Sequence, residues 1–85
     1  MIVEIFGKVL RDLRESNHIS QEKLAEYCDL DRTYISLLER GLRQPTITTI
    51  FKLAHALKIS SSTLIEKVEN QIYRHHLTEH QITHH

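Results

Sequence analysis

The chain has one cysteine, one proline, two glycines and no tryptophan among its 85 residues, and its 11 basic and 11 acidic side chains cancel. Each shortage excludes something. A lone Cys28 can neither close an internal disulfide nor build a thiolate metal cage, so both staples of very small secreted or zinc-dependent domains are absent. With so few glycines and prolines to interrupt it, the chain should run in long regular segments, and none alternates polar and apolar residues as a half-buried strand does. No stretch approaches the roughly 18 consecutive apolar residues of a membrane span, and Met1-Ile2-Val3-Glu4 is not the start of a secretory signal, so a cytoplasmic protein is expected. Length allows one domain.

What is present is helical periodicity. Ile2, Ile5, Phe6, Val9, Leu10 and Leu13 recur at three- and four-residue spacing and predict a first helix to about Ser16, ended by Asn17 and His18. Ser20 is placed to cap a second helix from about Gln21 to Tyr27, with Glu22 in its first turn and Leu24, Ala25 and Cys28 facing inward. Asp31 should cap a third from Arg32 to about Arg40, with Ile35 and Leu38 inward and Gly41 giving the left-handed exit. Pro45 and Thr46 begin a fourth helix, ending near Lys58, whose Ile47, Ile50, Phe51, Leu53, Ala54 and Leu57 read as the hub of the core. Ser60, Ser61 or Ser62 caps a fifth, in which Leu64, Ile65, Val68 and Ile72 continue the period beyond what one small core needs.

The expected architecture is all-α, a compact five-helix bundle over residues 1–73 followed by a polar, histidine-rich tail over 74–85. Five of the seven histidines lie in that tail. His75-His76, or His76 with His80 and Glu79, has metal-ligand spacing, but no cysteine or further carboxylate completes a cage, so no metal site and no cofactor is expected. Cys28 reads as a small core hydrophobe without a resolving partner, not a redox switch. Nothing suggests catalysis, since no phosphate-cradling glycine loop and no nucleophile with an ordered base occurs.

Between the second and third helices a turn of about three residues suggests a helix-turn-helix. Ala25 is small where the two helices cross, and Leu24, Leu30, Ile35 and Leu38 are apolar at the other contact positions. Ser20-Gln21-Glu22-Lys23-Leu24-Ala25, then Asp31 through Gly41, then Pro45-Thr46-Ile47 follow in the order of the phage repressor/Cro-type, or xenobiotic-response-element-type, regulators, and the chain resembles that family from about Phe6 to Ile65. Two positions depart from the pattern. Asp29 in the inter-helix turn and His18 at the end of the first helix stand where glycine is usual, although both residue types tolerate positive φ better than most.

The outward N-terminal side of the third helix carries Arg32, Thr33, Ser36 and Leu37, the expected base-contacting group. Arg32 suits guanine O6 and N7, Thr33 and Ser36 offer hydroxyls, and Leu37 suits a thymine methyl. Gln21 resembles the family's phosphate-contacting glutamine, and Tyr34, Arg40 and Arg43 are further phosphate candidates, with partial core packing the alternative for Tyr34. The resemblance also implies an ion pair between Arg14 and Glu39 that ties the first helix to the third. Zero net charge is unusual for a DNA binder, but Arg40, Arg43, Lys52 and Lys58 occupy an acid-free stretch from residue 40 to 65, while Asp12, Glu15, Glu22 and Glu26 lie earlier.

These features predict a non-enzymatic, sequence-specific transcriptional regulator. It would bind double-stranded DNA as a homodimer on a pseudo-palindromic operator, as a repressor more than an activator and with autoregulation in view. The run Leu30 to Ser36 looks like that of restriction-modification controller proteins, which bind their own promoter as dimers. Ile65, Val68 and Ile72 are the expected dimer interface. The alternative is an antitoxin or other interaction module that binds a partner protein as well as DNA.

Overall fold

In the computed structural model, which describes residues 1–75, five helices follow one another: α1 (Ile2–Ser16), α2 (Gln21–Cys28), α3 (Arg32–Glu39), α4 (Ile47–Ala56) and α5 (Ser61–His75). No strand occurs among the described residues, so the all-α bundle is the fold. α5 runs to His75, past the expected boundary at 73. Residues 76–85 of the expected tail, with the His76, His80 and Glu79 metal-ligand candidates, lie outside the described residues.

Four of the five helices start on a hydroxyl or carboxylate. Ser20 Oγ accepts from Lys23 N at 3.0 Å, Asp31 Oδ1 from Thr33 N at 3.4 Å, Thr46 Oγ1 from Thr49 N at 3.1 Å and Ser60 Oγ from Thr63 N at 3.0 Å. Each satisfies an amide that the helix cannot, a contribution of about 1 kcal/mol apiece. The ends of α1 to α4 are equally uniform. His18, Asp29, Gly41 and Lys58 adopt φ of 58°, 57°, 72° and 62°. The amide of the next residue then closes back on a carbonyl five positions earlier: Ile19 on Arg14 (3.3 Å), Leu30 on Ala25 (2.9 Å), Leu42 on Leu37 (2.9 Å) and Ile59 on Ala54 (3.0 Å). This is the Schellman closure, and it usually brings an apolar residue down onto the helix. Ile19, Leu30 and Ile59 do pack against the core. Leu42, at the exit of α3, remains exposed.

Every helix sends at least one side chain to the centre: Leu10 from α1, Leu24 from α2, Ile35 and Leu38 from α3, Leu53 from α4 and Leu64 from α5 are fully buried. Burying such a side chain contributes roughly 1.5–3 kcal/mol. α1 packs against α3 and α5, α2 against α3 and α4, and α4 against α5.

Two expectations about the core fail. α4 is not its hub: Leu53, Ala54 and Leu57 are buried, but Ile47 is 72% and Phe51 58% exposed. With Thr46 as N-cap, the phase of α4 turns the Ile50, Leu53, Ala54 and Leu57 face inward and leaves Ile47 and Phe51, one turn apart, on another. Val68, expected on the surface, is buried at 6% exposure, because α1 lies along α5 and covers it. Ile72 is half-buried against the same cluster.

Candidate nucleic-acid interface

α2 and α3 are joined by Asp29, Leu30 and Asp31, a three-residue turn that works because Asp29 takes the left-handed conformation. Ala25, 4% exposed, lets the two helices approach, while Leu24, Ile35 and Leu38 fill the wedge between them. α3 therefore has one face fixed in the core and one turned to solvent. Arg32, Thr33 and Arg40 are exposed and Ser36 and Leu37 half-buried on the outer side. Arg40 Nε donates to Ser36 Oγ at 3.3 Å, so these two side chains lie together across one turn. Arg43 is exposed just beyond Gly41, continuing the cationic side of α3 into the loop.

Behind that face sits Glu39, whose side chain is 3% exposed. Arg14 reaches it from α1 in a forked contact, Nε to Oε2 at 2.6 Å and Nη2 to Oε1 at 3.1 Å, and Arg14 Nη1 donates to the Ile19 carbonyl at 2.8 Å. Hydrogen bonding to Glu39 holds the Arg14 guanidinium above its ordinary pKa, with burial acting in opposition. Gln21, at the first turn of α2, is half-buried and donates from Nε2 to Glu39 Oε1 at 3.0 Å. One carboxylate thus gathers α1, α2 and α3 at a point where its charge is matched and its oxygens are occupied.

Gln21 was expected to face phosphate with its amide. The structure directs one amide N–H to Glu39, an interaction that sequence separation alone does not reveal. Tyr34 is half-buried against the core, with its hydroxyl 3.4 Å from Thr49 Oγ1, and Thr49 in turn lies 3.0 Å from Thr46 Oγ1. This hydroxyl chain links α3 to the cap of α4 and satisfies Thr49, a buried polar residue at 6% exposure.

The expected interface residues Ile65, Val68 and Ile72 do not form one exposed stripe. Val68 belongs to the core, covered by α1, and Ile65 at 44% exposure is the member open to solvent. It lines a groove between α4 and α5 together with Ile47, Ile50 and Phe51, rimmed by Glu66 and Glu69. Ile47 and Phe51 were missed as surface residues. Their signal was an apolar set on α4 too broad for one face, which implies two partners for that helix.

Cys28 is buried, its thiol 3.6 Å from the Lys52 carbonyl, and burial pushes its pKa up, the reverse of what a reactive thiolate needs. Among the described residues, no cluster of three or more His, Cys, Asp or Glu side chains is disposed to hold a metal. No described helix is long and apolar enough to cross a membrane.

A tight helix-turn-helix with an outward polar face on its second helix defines a DNA-binding transcriptional regulator. The helix-turn-helix family pattern matches residues 10–64, and the chain belongs to that family. It is homologous to the controller proteins of restriction-modification systems. Control protein C.BamHI of Bacillus amyloliquefaciens is 44% identical over 63 residues, spanning 73% of this chain and 78% of that one. The crystal structure of controller protein C.AhdI from Aeromonas hydrophila superposes with a TM-score of 0.71 at 44% identity, over 73% of this chain and 94% of that one. C.Esp1396I, solved as a tetramer with its natural 35 base-pair operator, gives 0.78 at 30% identity, over 85% and 95% of the two chains.

Proposed function

We propose that the chain is a homodimeric, sequence-specific regulator of controller type, acting in the cytoplasm on a pseudo-palindromic operator, chiefly as a repressor of its own promoter. It is a binding protein and not an enzyme. The observation that carries this reading is α3 itself: Arg32, Thr33, Ser36 and Leu37 on the outer side of a helix whose opposite side is fixed by Leu38 and by the Glu39 hub. Arg32 and its neighbours read base edges, while Arg40, Arg43 and the first turn of α2 at Gln21 engage the backbone.

Dimerisation rests on the exposed Ile47, Phe51 and Ile65, an apolar group that a small domain gains by covering. A twofold contact through this face presents two recognition helices together, and half-sites one DNA turn apart, about 34–36 Å, follow from such symmetry. Linking two half-sites compensates for the modest charge of each subunit. In the alternative reading, a partner protein takes the same apolar seat.

Two experiments test the proposal. Selection of bound sequences from a random duplex library should return a palindrome, and a library that yields no enriched sequence would overturn sequence-specific binding. Sedimentation at micromolar concentration should show a dimer, and a protein that stays monomeric there would sink the twofold arrangement.

A further inference from the structure

α1 and α3 meet backbone to backbone at one residue. Gly7 is buried within α1, and a Cβ placed on it would stand 2.3 Å from the Leu38 carbonyl oxygen and 2.7 Å from that of Glu39. Both oxygens belong to the last turn of α3, so no change of rotamer makes room for a side chain, and α3 itself would have to move. Glycine is a poor residue for a helix interior on local grounds, because it loses more conformational freedom than alanine and packs nothing. Here the close approach is what it provides. The residues around it, Ile5, Phe6, Val9 and Leu10, are all buried, so α1 cannot tilt away without opening the core.

The same end of α3 is held by the Arg14–Glu39 fork at 2.6 and 3.1 Å. α1 therefore seats the recognition helix at two points: backbone contact at Gly7 limits its depth, and the fork fixes its rotation. α1 also packs along α5, which carries Ile65 of the apolar face. The position of α3 relative to that face is thus set partly through α1, beside the Tyr34–Thr49 link from α3 to α4.

We infer that Gly7 is a positioning residue for DNA recognition: its missing side chain sets how far α3 projects from the domain, and so how two recognition helices are spaced across a dimer. This rests on the assignment of α3 as the reading helix. A displacement of α3 enters twice in a twofold assembly, and hydrogen bonds to base edges weaken over a few tenths of an ångström.

The test is Gly7→Ala in the full chain, titrated on the operator recovered by selection and on a scrambled duplex of equal length at the same salt. The expected result keeps helical circular dichroism, the dimer and the affinity for scrambled DNA, and loses about tenfold on the operator, the scale of one bidentate base contact. A renewed selection with the variant should return half-sites of relaxed sequence or altered spacing. Equal losses on both duplexes would assign Gly7 to stability alone and overturn the inference, as would an unchanged operator affinity. If Gly7→Ala does not fold, Arg14→Lys keeps the charge but cannot span both carboxylate oxygens, and so releases the second seat. The same selective loss is expected of it, and an equal loss on both duplexes would again overturn the inference. A wild-type protein that prefers no duplex would overturn the reading role of α3 itself, whereas a wild-type preference that survives both changes would overturn only the seat.

Discussion

Arg32 and Arg43 are both exposed cations, yet one opens α3 and the other lies in the loop that leaves it. A cation at the start of a recognition helix reaches base edges, whereas one beyond its end meets phosphate. Arg32→Ala is expected to cost about 1–3 kcal/mol on the operator and to relax preference at one base position. Arg43→Ala should weaken operator and scrambled DNA by similar factors and shallow the logarithmic salt slope by about one. Anisotropy titrations on both duplexes over a salt series separate the two, and an equal loss for Arg32→Ala would reverse its assignment. Glu39 makes a different kind of demand. Removing it strands Arg14, whose side chain is 12% exposed, and leaves Gln21 without its acceptor. Glu39→Ala should therefore cost roughly 3–5 kcal/mol in urea denaturation, a large share of the about 4–13 kcal/mol available to a domain of this length.

At the scale of the helices, starts were legible and faces were not always so. Ser20 and Asp31 announce their helices because a capping side chain acts within three residues of itself, a purely local effect, while Thr46, expected inside the fourth helix beside Pro45, proves to be its cap. Which face of α4 is inward depends on where α2 and α5 lie, and the cover over Val68 on where α1 lies, which no local pattern states. Apolar residues alone cannot say whether a second face is core or contact, and on α4 both occur. The Arg14–Glu39 pairing was suggested by family resemblance, but Gln21 as its third member needed the geometry. Phe51→Asp and Val68→Ala turn the distinction between contact and core into measurements. Phe51→Asp is expected to keep the fold and abolish the dimer in sedimentation. Val68→Ala should keep the dimer and lower unfolding stability by roughly 1–3 kcal/mol. The opposite pattern would return Val68 to the interface.

For the molecule as a whole, zero net charge and an apolar seat make the proposed dimer the main source of binding strength, ahead of attraction to phosphate. Folding and the proposed pairing would then share one equilibrium. The melting temperature of the wild type is expected to rise by a few degrees for each tenfold increase in concentration, because only the folded chain pairs. Phe51→Asp should melt at one temperature throughout, and calorimetry across a dilution series compares them.

The left-handed ends of α1, α2 and α4 bear on how such a protein can change. His18, Asp29 and Lys58 hold a conformation at φ near 60° that costs a side-chain-bearing residue about 1–2 kcal/mol, partly offset because glycine there would loosen the unfolded chain by about 0.4–1 kcal/mol. His18→Gly or Lys58→Gly should thus add up to about 1.6 kcal/mol of stability without touching α3, as thermal melts would record. The turns form a reserve of evolvability. With α3 as the proposed reading helix, substitutions on it that shift the protein to a new operator and weaken the fold could be compensated at His18 or Lys58, so that DNA preference and stability would be free to drift apart and be selected separately.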